Sequence, residues 1–240
     1  MFYWLMKHVF IGPYFDTVFR PWVLGDENIP KQGGVIIAGN HLSVIDSFVA
    51  PLAIDRRVYY LAKSDYFTGR GLQGRLISWF MQAVGQLPID RSGGKASEAS
   101  LNTALKVLGR GDVLGIYPEG TRSPDGKLYR GRTGVARMVL EGRVPVVPCV
   151  VIDTERVMPP GKAIPRAARM GIIYGKPLDF SRYYGMTGDR WILRSITDEI
   201  MYEINRLGEQ EYLDVYATSV KSQIEAERKA ELEQRKAKRR

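Results

Sequence analysis

Asn40-His41-Leu42-Ser43-Val44-Ile45-Asp46 sets an imidazole five residues ahead of a carboxylate. A histidine that donates from one ring nitrogen to a carboxylate keeps the other nitrogen free to take a proton, as a positioned general base does. The choice of base is narrow, because the chain has two histidines and His8 lies in an apolar N-terminal stretch. On one continuous helix, five residues turn about 500° and leave the two side chains about 140° apart. They could meet if His41 lay in a turn after a strand and Asp46 in the first turn of the next helix. Gly39-Asn40 and Ser43, the expected N-cap, supply such a turn. A second reading stands beside this one. Ser43-x-x-Asp46 has the spacing of a capping box, in which Asp46 would do no more than close the helix N-terminus.

Tyr117-Pro118-Glu119-Gly120-Thr121-Arg122-Ser123 follows a buried apolar run. Loops past strand ends are where α/β sheets hold ligands. This one offers a carboxylate, backbone N–H groups and a guanidinium, a set suited to a polyol phosphate; it also reads as a plain turn. Gly85-Gln-Leu-Pro-Ile-Asp90-Arg91 ends another strand with a second guanidinium, and Lys63 follows the 57–62 run in the same way. Three cations, Lys63, Arg91 and Arg122, therefore lie past three strand ends. Guanidinium groups bind phosphate through paired hydrogen bonds.

The elements that must position these groups alternate. Strands are expected at 34–39, 57–62, 86–89, 112–117, 144–152 and 168–174. Helices are expected at 43–52, 71–84, 95–108 and up to Glu141, with two closing helices at 189–207 and 209–234. The pattern predicts one α/β domain, a mixed sheet flanked by helices. An aromatic N-terminal segment, 1–22, breaks near Gly12-Pro13; the domain proper covers 23–208, and a charged C-terminal helix covers 209–240. Residues 1–22 carry Trp4, Tyr3, Lys7 and His8 and suit a helix lying at a membrane interface. The alternative is a helix packed on the protein's own core. Residues 221–240 hold eight basic residues against four glutamates, either a solvated helix or a polybasic contact to anionic lipid.

Composition removes other classes. The 35 Lys and Arg against 26 Asp and Glu give a charge of +9, which favours an anionic partner. The basic residues are spread along the chain without an aromatic-basic recognition module, so nucleic acid is not the expected partner. The one cysteine, Cys149, cannot form an internal disulfide, fits a reducing compartment and lies in an apolar run that suits core. With two histidines and one cysteine, a structural zinc site of the usual Cys/His kind is excluded. No apolar run reaches 18 residues, the length that spans a bilayer. There is no Gly-x-Ser-x-Gly for a serine esterase and no phosphate loop of the Gly-x₄-Gly-Lys type.

Taken in order, Asn40-His41-x-Ser43-x-x-Asp46, Gly85 through Pro88-Ile89-Asp90-Arg91, Tyr117 through Ser123, and Val144-Pro145-Val146-Val147-Pro148 resemble the four blocks of the glycerolipid acyltransferases. Tyr59-Tyr-Leu-Ala-Lys63 resembles a further family segment. The likeness is nearest to bacterial 1-acyl-sn-glycerol-3-phosphate acyltransferases. Pro88 stands where the second block commonly has an aromatic, and Tyr117 where the third often has Phe. The resemblance implies a fatty acyl transfer from acyl-CoA or acyl-carrier protein to the free hydroxyl of a lysophospholipid, giving phosphatidic acid, with no metal and no cofactor. It makes His41 the base and Asp46 its partner. Lys63, Arg91, Glu119, Gly120, Thr121 and Arg122 would surround the acceptor. The expected place is the cytoplasmic side of the cell membrane, as a peripheral or monotopic protein. Acylation of another glycerolipid or glycolipid, or a non-catalytic lipid adaptor, are the competing readings; an adaptor would have no use for a base.

Overall fold

Short runs of β-branched and aliphatic residues form the strands of the computed structural model, which describes residues 2–69, 71–89, 95–159, 162 and 164–237. β1 spans Trp22–Leu24, β2 Val35–Gly39, β3 Val58–Lys63, β4 Gln86–Ile89, β5 Val113–Ile116, β6 Leu128–Tyr129, β7 Val146–Ile152, β8 Gly171–Tyr174 and β9 Tyr212–Leu213. The helices are α1 Phe2–Leu5, α2 Gly12–Val18, α3 Asp46–Ala53, α4 Gly71–Ala83, α5 Lys95–Gly109, α6 Gly134–Gly142, α7 Thr154–Val157, α8 Arg190–Gly208 and α9 Ala217–Ala237.

Seven strands make one mixed sheet in the order β1-β8-β7-β2-β5-β3-β4, with β7 and β8 antiparallel and every other pair parallel. Both faces are covered, so the central strands read as continuous apolar runs rather than alternating ones. In β2, Ile36 and Ala38 pack with α5, α6 and α8 on one face. Val35 and Ile37 pack with α2 and α3 on the other. The expected α/β architecture, one sheet between helices, is what forms.

Topology places the site. From β2 the chain crosses by α3 to β3, and from β5 it crosses back by α6 to β7. The loops leaving these adjacent parallel strands turn to opposite faces and open a crevice at their carboxyl ends, the usual ligand position in such sheets.

Several elements differ from the sequence reading. The N-terminal segment does not break at Gly12-Pro13. Residues 2–18 run on helically through a π-turn over Met6–Ile11, closed by the Gly12 N–H reaching back to the Lys7 carbonyl. Pro13 falls in the first turn of α2, just past the π-turn, and contributes no N–H to the helical run. Trp22, grouped with that segment, opens β1 and pairs with Gly171. The last helix begins at Ala217 rather than 209. Glu209, at φ 50°, ends α8 in the left-handed region, and β9 then pairs in parallel with β6. No described helix is long and apolar enough to cross a membrane.

Candidate active site

β2 ends at Gly39, and the next two residues do different work. The Asn40 side chain is buried and bonds both the N–H and the carbonyl of Val151, extending the β2–β7 pairing by one step. That clamp sets where His41 leaves the sheet. His41 Nδ1 lies 2.8 Å from Asp46 Oδ2, so the pair expected from the five-residue spacing does form, with His41 in the turn and Asp46 opening α3. The same Oδ2 accepts the N–H groups of Leu42 and Ser43, each at 2.8 Å. One oxygen of Asp46 thus both orients the imidazole and ties down the turn before α3. Ser43 is not the N-cap; Ile45 holds that position, and the Ser43 hydroxyl donates instead to the Met158 carbonyl.

With its carboxylate partner on Nδ1, the imidazole carries its proton there and leaves Nε2 as the acceptor. The Asp46 side chain is fully buried and that of His41 is 17% exposed, so the base meets solvent while its partner does not. The ring is held flat against Tyr117, with centroids 3.9 Å apart and planes 6° apart. Tyr117 in turn stacks on Tyr60 and shares a 3.1 Å hydrogen bond with the Ser47 hydroxyl on α3. Gly115 makes the stack possible, because a Cβ there would stand 2.3 Å from the Tyr60 ring. This support for His41 comes from a strand distant in sequence. Its only trace in the sequence is an aromatic at the head of the third block.

The 117–123 loop is tied to the His41 turn. Ser123 N–H donates to the His41 carbonyl at 2.7 Å, and Glu119 Oε1 accepts the His41 N–H at 3.3 Å. Glu119 Oε2 accepts the Tyr129 N–H at 3.0 Å. Glu119, expected beside the acceptor, is a buried bridge between the histidine turn and β6. Loss of water around its carboxyl pushes its pKa up to about 8, against the opposing pull of the two N–H donors. Gly120 does line the open space, at φ 75°. The Thr121 hydroxyl accepts from Lys221 Nζ at 2.7 Å. Partial burial, and then the nearby Arg122, lower the pKa of Lys221. Lys63 ends β3, beside β4. Asp90 and Arg91 lie outside the described residues.

His41 opens onto a cavity of about 520 Å³. Leu61, Ile89, Ile116, Val135 and Met138 make its wall apolar, while Gly120, Arg132 and Thr218 line it as well. Arg132 and Thr218 had no part in the sequence reading. Thr218 comes from α9, which places the first turn of the C-terminal helix at the site. Cys149 is buried and its thiol is pushed up to about 12 by burial, in keeping with core. Among the described residues, no group of three His, Cys, Asp or Glu side chains is placed to hold a metal ion.

A histidine oriented by a buried carboxylate lies at the carboxyl ends of parallel strands and faces an apolar cavity, an arrangement suited to a general base. Comparisons with known proteins bear on the class of enzyme. The Acyltransferase family model matches residues 20–152. The 1-acyl-sn-glycerol-3-phosphate acyltransferase of Bacillus subtilis (strain 168) is 32% identical over 158 residues, 65% of this chain and 72% of the relative. The chloroplastic enzyme BAT2 of Brassica napus, with the same activity in its name, is 26% identical over 187 residues, 77% of this chain and 50% of its own. The chain thus spans about three-quarters of the first relative and half of the second. The crystal structure of the Thermotoga maritima 1-acyl-sn-glycerophosphate acyltransferase PlsC superposes with a TM-score of 0.62 at 23% identity, over 81% of this chain and 76% of that one, a shared fold.

The chain belongs to the acyltransferase family. Within it, the chain is an enzyme of the type its relatives represent, those named for acylating 1-acyl-sn-glycerol-3-phosphate.

Proposed function

We propose that this enzyme moves a fatty acyl group from acyl-CoA or acyl-carrier protein to the free hydroxyl of 1-acyl-sn-glycerol-3-phosphate, giving phosphatidic acid. The observation that carries the reading is the 2.8 Å His41–Asp46 contact at the mouth of an apolar cavity. His41 Nε2 takes the proton of the acceptor hydroxyl as its oxygen attacks the thioester carbonyl. The resulting imidazolium is stabilised by Asp46. The tetrahedral intermediate then collapses with cleavage of the carbon–sulfur bond, and the departing thiolate recovers the proton from His41. No acyl-enzyme forms and no cofactor takes part. The apolar wall receives an acyl chain, and Arg122, with Lys63 and Arg91, attracts the acceptor phosphate.

The enzyme works at the cytoplasmic face of the cell membrane without spanning it. Trp4, Leu5, Val9, Phe10 and Tyr14 are exposed on the N-terminal helix, and the net charge of +9 favours anionic lipid. The test is a panel of acceptors with a labelled acyl-CoA, run on wild type and His41→Ala and followed by product lipid analysis. Wild type is expected to acylate 1-acyl-sn-glycerol-3-phosphate, and His41→Ala to lose about 10²–10⁴-fold in turnover. Wild-type turnover in a folded His41→Ala protein would end this mechanism.

A further inference from the structure

The cavity has a cationic end that the family blocks do not account for, and the C-terminal helix builds half of it. Arg132 Nη2 donates to Thr218 Oγ1 at 3.0 Å, and both residues line the cavity with His41 and Gly120. Lys221 lies three residues after Thr218, hence on the same face of α9. Its ammonium bonds Thr121 Oγ1 in the turn beside Gly120. Partial burial disfavours charge on Lys221, and the nearby Arg122 acts the same way.

Among the described residues, none of Arg122, Arg132 and Lys221 forms an ion pair with a carboxylate. The carboxylates that favour charge on Lys221 are Glu225, four residues along α9, and Glu119, whose two oxygens already accept backbone N–H groups. Arg132 lines the cavity, Lys221 is anchored on the residue after its Gly120, and Arg122 adjoins Lys221, so an anion bound here would relieve repulsion between neighbouring cations. Thr121 uses one of the three N–H donors of Lys221, and the remainder can serve a phosphate.

We propose that Lys221, carried by α9, and Arg132 complete a phosphate-binding end of the acyl-transfer cavity. The proposal rests on the acyltransferase reading above and adds two residues, one of them 100 positions from its contact in the third block. The phosphate has two possible sources, the acceptor's glycerol phosphate or the phosphates of the donor's carrier. The bland alternative is that Lys221–Thr121 and Arg132–Thr218 only clasp α9 to the domain.

The full-length chain with Lys221→Met is assayed for kcat and for separate KM values with 1-acyl-sn-glycerol-3-phosphate and with acyl-CoA, alongside its melting temperature. Losing one charge-assisted contact is expected to raise one KM by about 10-fold with kcat changed far less. Lys221→Arg is expected to recover most of that loss. The substrate whose KM moves names the source of the phosphate. Lys221→Gln retains a donor for Thr121 without the charge and is the variant read if Lys221→Met does not fold. Unchanged KM values for both substrates would overturn the proposal. So would a loss confined to kcat and melting temperature, which is the behaviour of a clasp. If wild type acylates no phosphate-bearing acceptor, the functional reading fails separately. Inorganic phosphate then serves as the probe: a thermal upshift in wild type that Lys221→Gln abolishes supports the site, and equal upshifts refute it.

Discussion

Asp46→Asn separates the two duties of one oxygen. In the native turn Oδ2 accepts three N–H donors, from His41 Nδ1, Leu42 and Ser43, each at 2.8 Å. Oδ1 is buried without a hydrogen-bond partner among the described residues. An asparagine therefore keeps its amide oxygen at the Oδ2 position, because the reverse rotamer would aim an NH₂ at three donors. The NH₂ must then occupy the partnerless Oδ1 position. Hydrogen bonds to a charged acceptor contribute about 1.5–3 kcal/mol and to a neutral one about 0.5–1.5, so each of the three weakens by roughly 1 kcal/mol. Relief of the buried charge offsets part of this, and the net loss of stability is expected at about 1–3 kcal/mol. The Nδ1–H tautomer survives, but the imidazolium formed during transfer loses its counter-charge. At 1.36 kcal/mol per decade, that predicts a fall in kcat of about 10- to 10²-fold, smaller than for His41→Ala. Initial rates with labelled acyl-CoA and urea unfolding of the same preparation measure both effects. A folded Asp46→Asn protein with kcat within about threefold of wild type would refute the reasoning, since Asp46 would then only cap the helix.

Two further outcomes are expected. Glu119 has a native pKa of about 8 against an ordinary 4.5, so between these values the folded state holds a proton that the unfolded state releases. Its contribution to stability is full below about 4.5 and is lost as pH rises through 8, with a slope of up to about 1.4 kcal/mol per pH unit. Urea midpoints from pH 5 to 8 should fall in wild type. Glu119→Gln should be less stable at low pH, because its NH₂ meets a backbone donor, and should lack this dependence. On the N-terminal helix, Trp4 and Phe10 are 59% and 56% exposed while Phe19 is 1% exposed. The double change Trp4→Ser, Phe10→Ser should leave the melting temperature unaltered and weaken flotation with anionic liposomes. Deletion up to Val23 should unfold the protein, because it removes Phe15, Phe19 and the first residue of β1, with about 1.5–3 kcal/mol for each large apolar side chain.

What could be read from the sequence alone was what depends on neighbours along the chain. Continuous apolar runs alternating with helical segments specify a covered parallel sheet, because a strand buried on both faces has no polar side to show. The five-residue step from His41 to Asp46 fixes its own geometry once a strand, a turn and a helix are granted, and that local pair survived intact. The placement of Glu119, Tyr117, Arg132 and Lys221 was decided elsewhere. It follows from β5 lying beside β2 and from β9 pairing with β6, contacts between segments tens of residues apart. Nothing in the spacing around Glu119 distinguishes a carboxylate facing a substrate from one sealed between two backbone N–H groups. The N-terminal helix shows the same division. Its aromatic content announced a surface that must leave water, but only the packed structure sends Phe15 and Phe19 into the core and leaves Trp4 and Phe10 outside. A 17-residue helical run has a face for each, and which face meets the sheet is set by the partner it packs against, not by its own sequence.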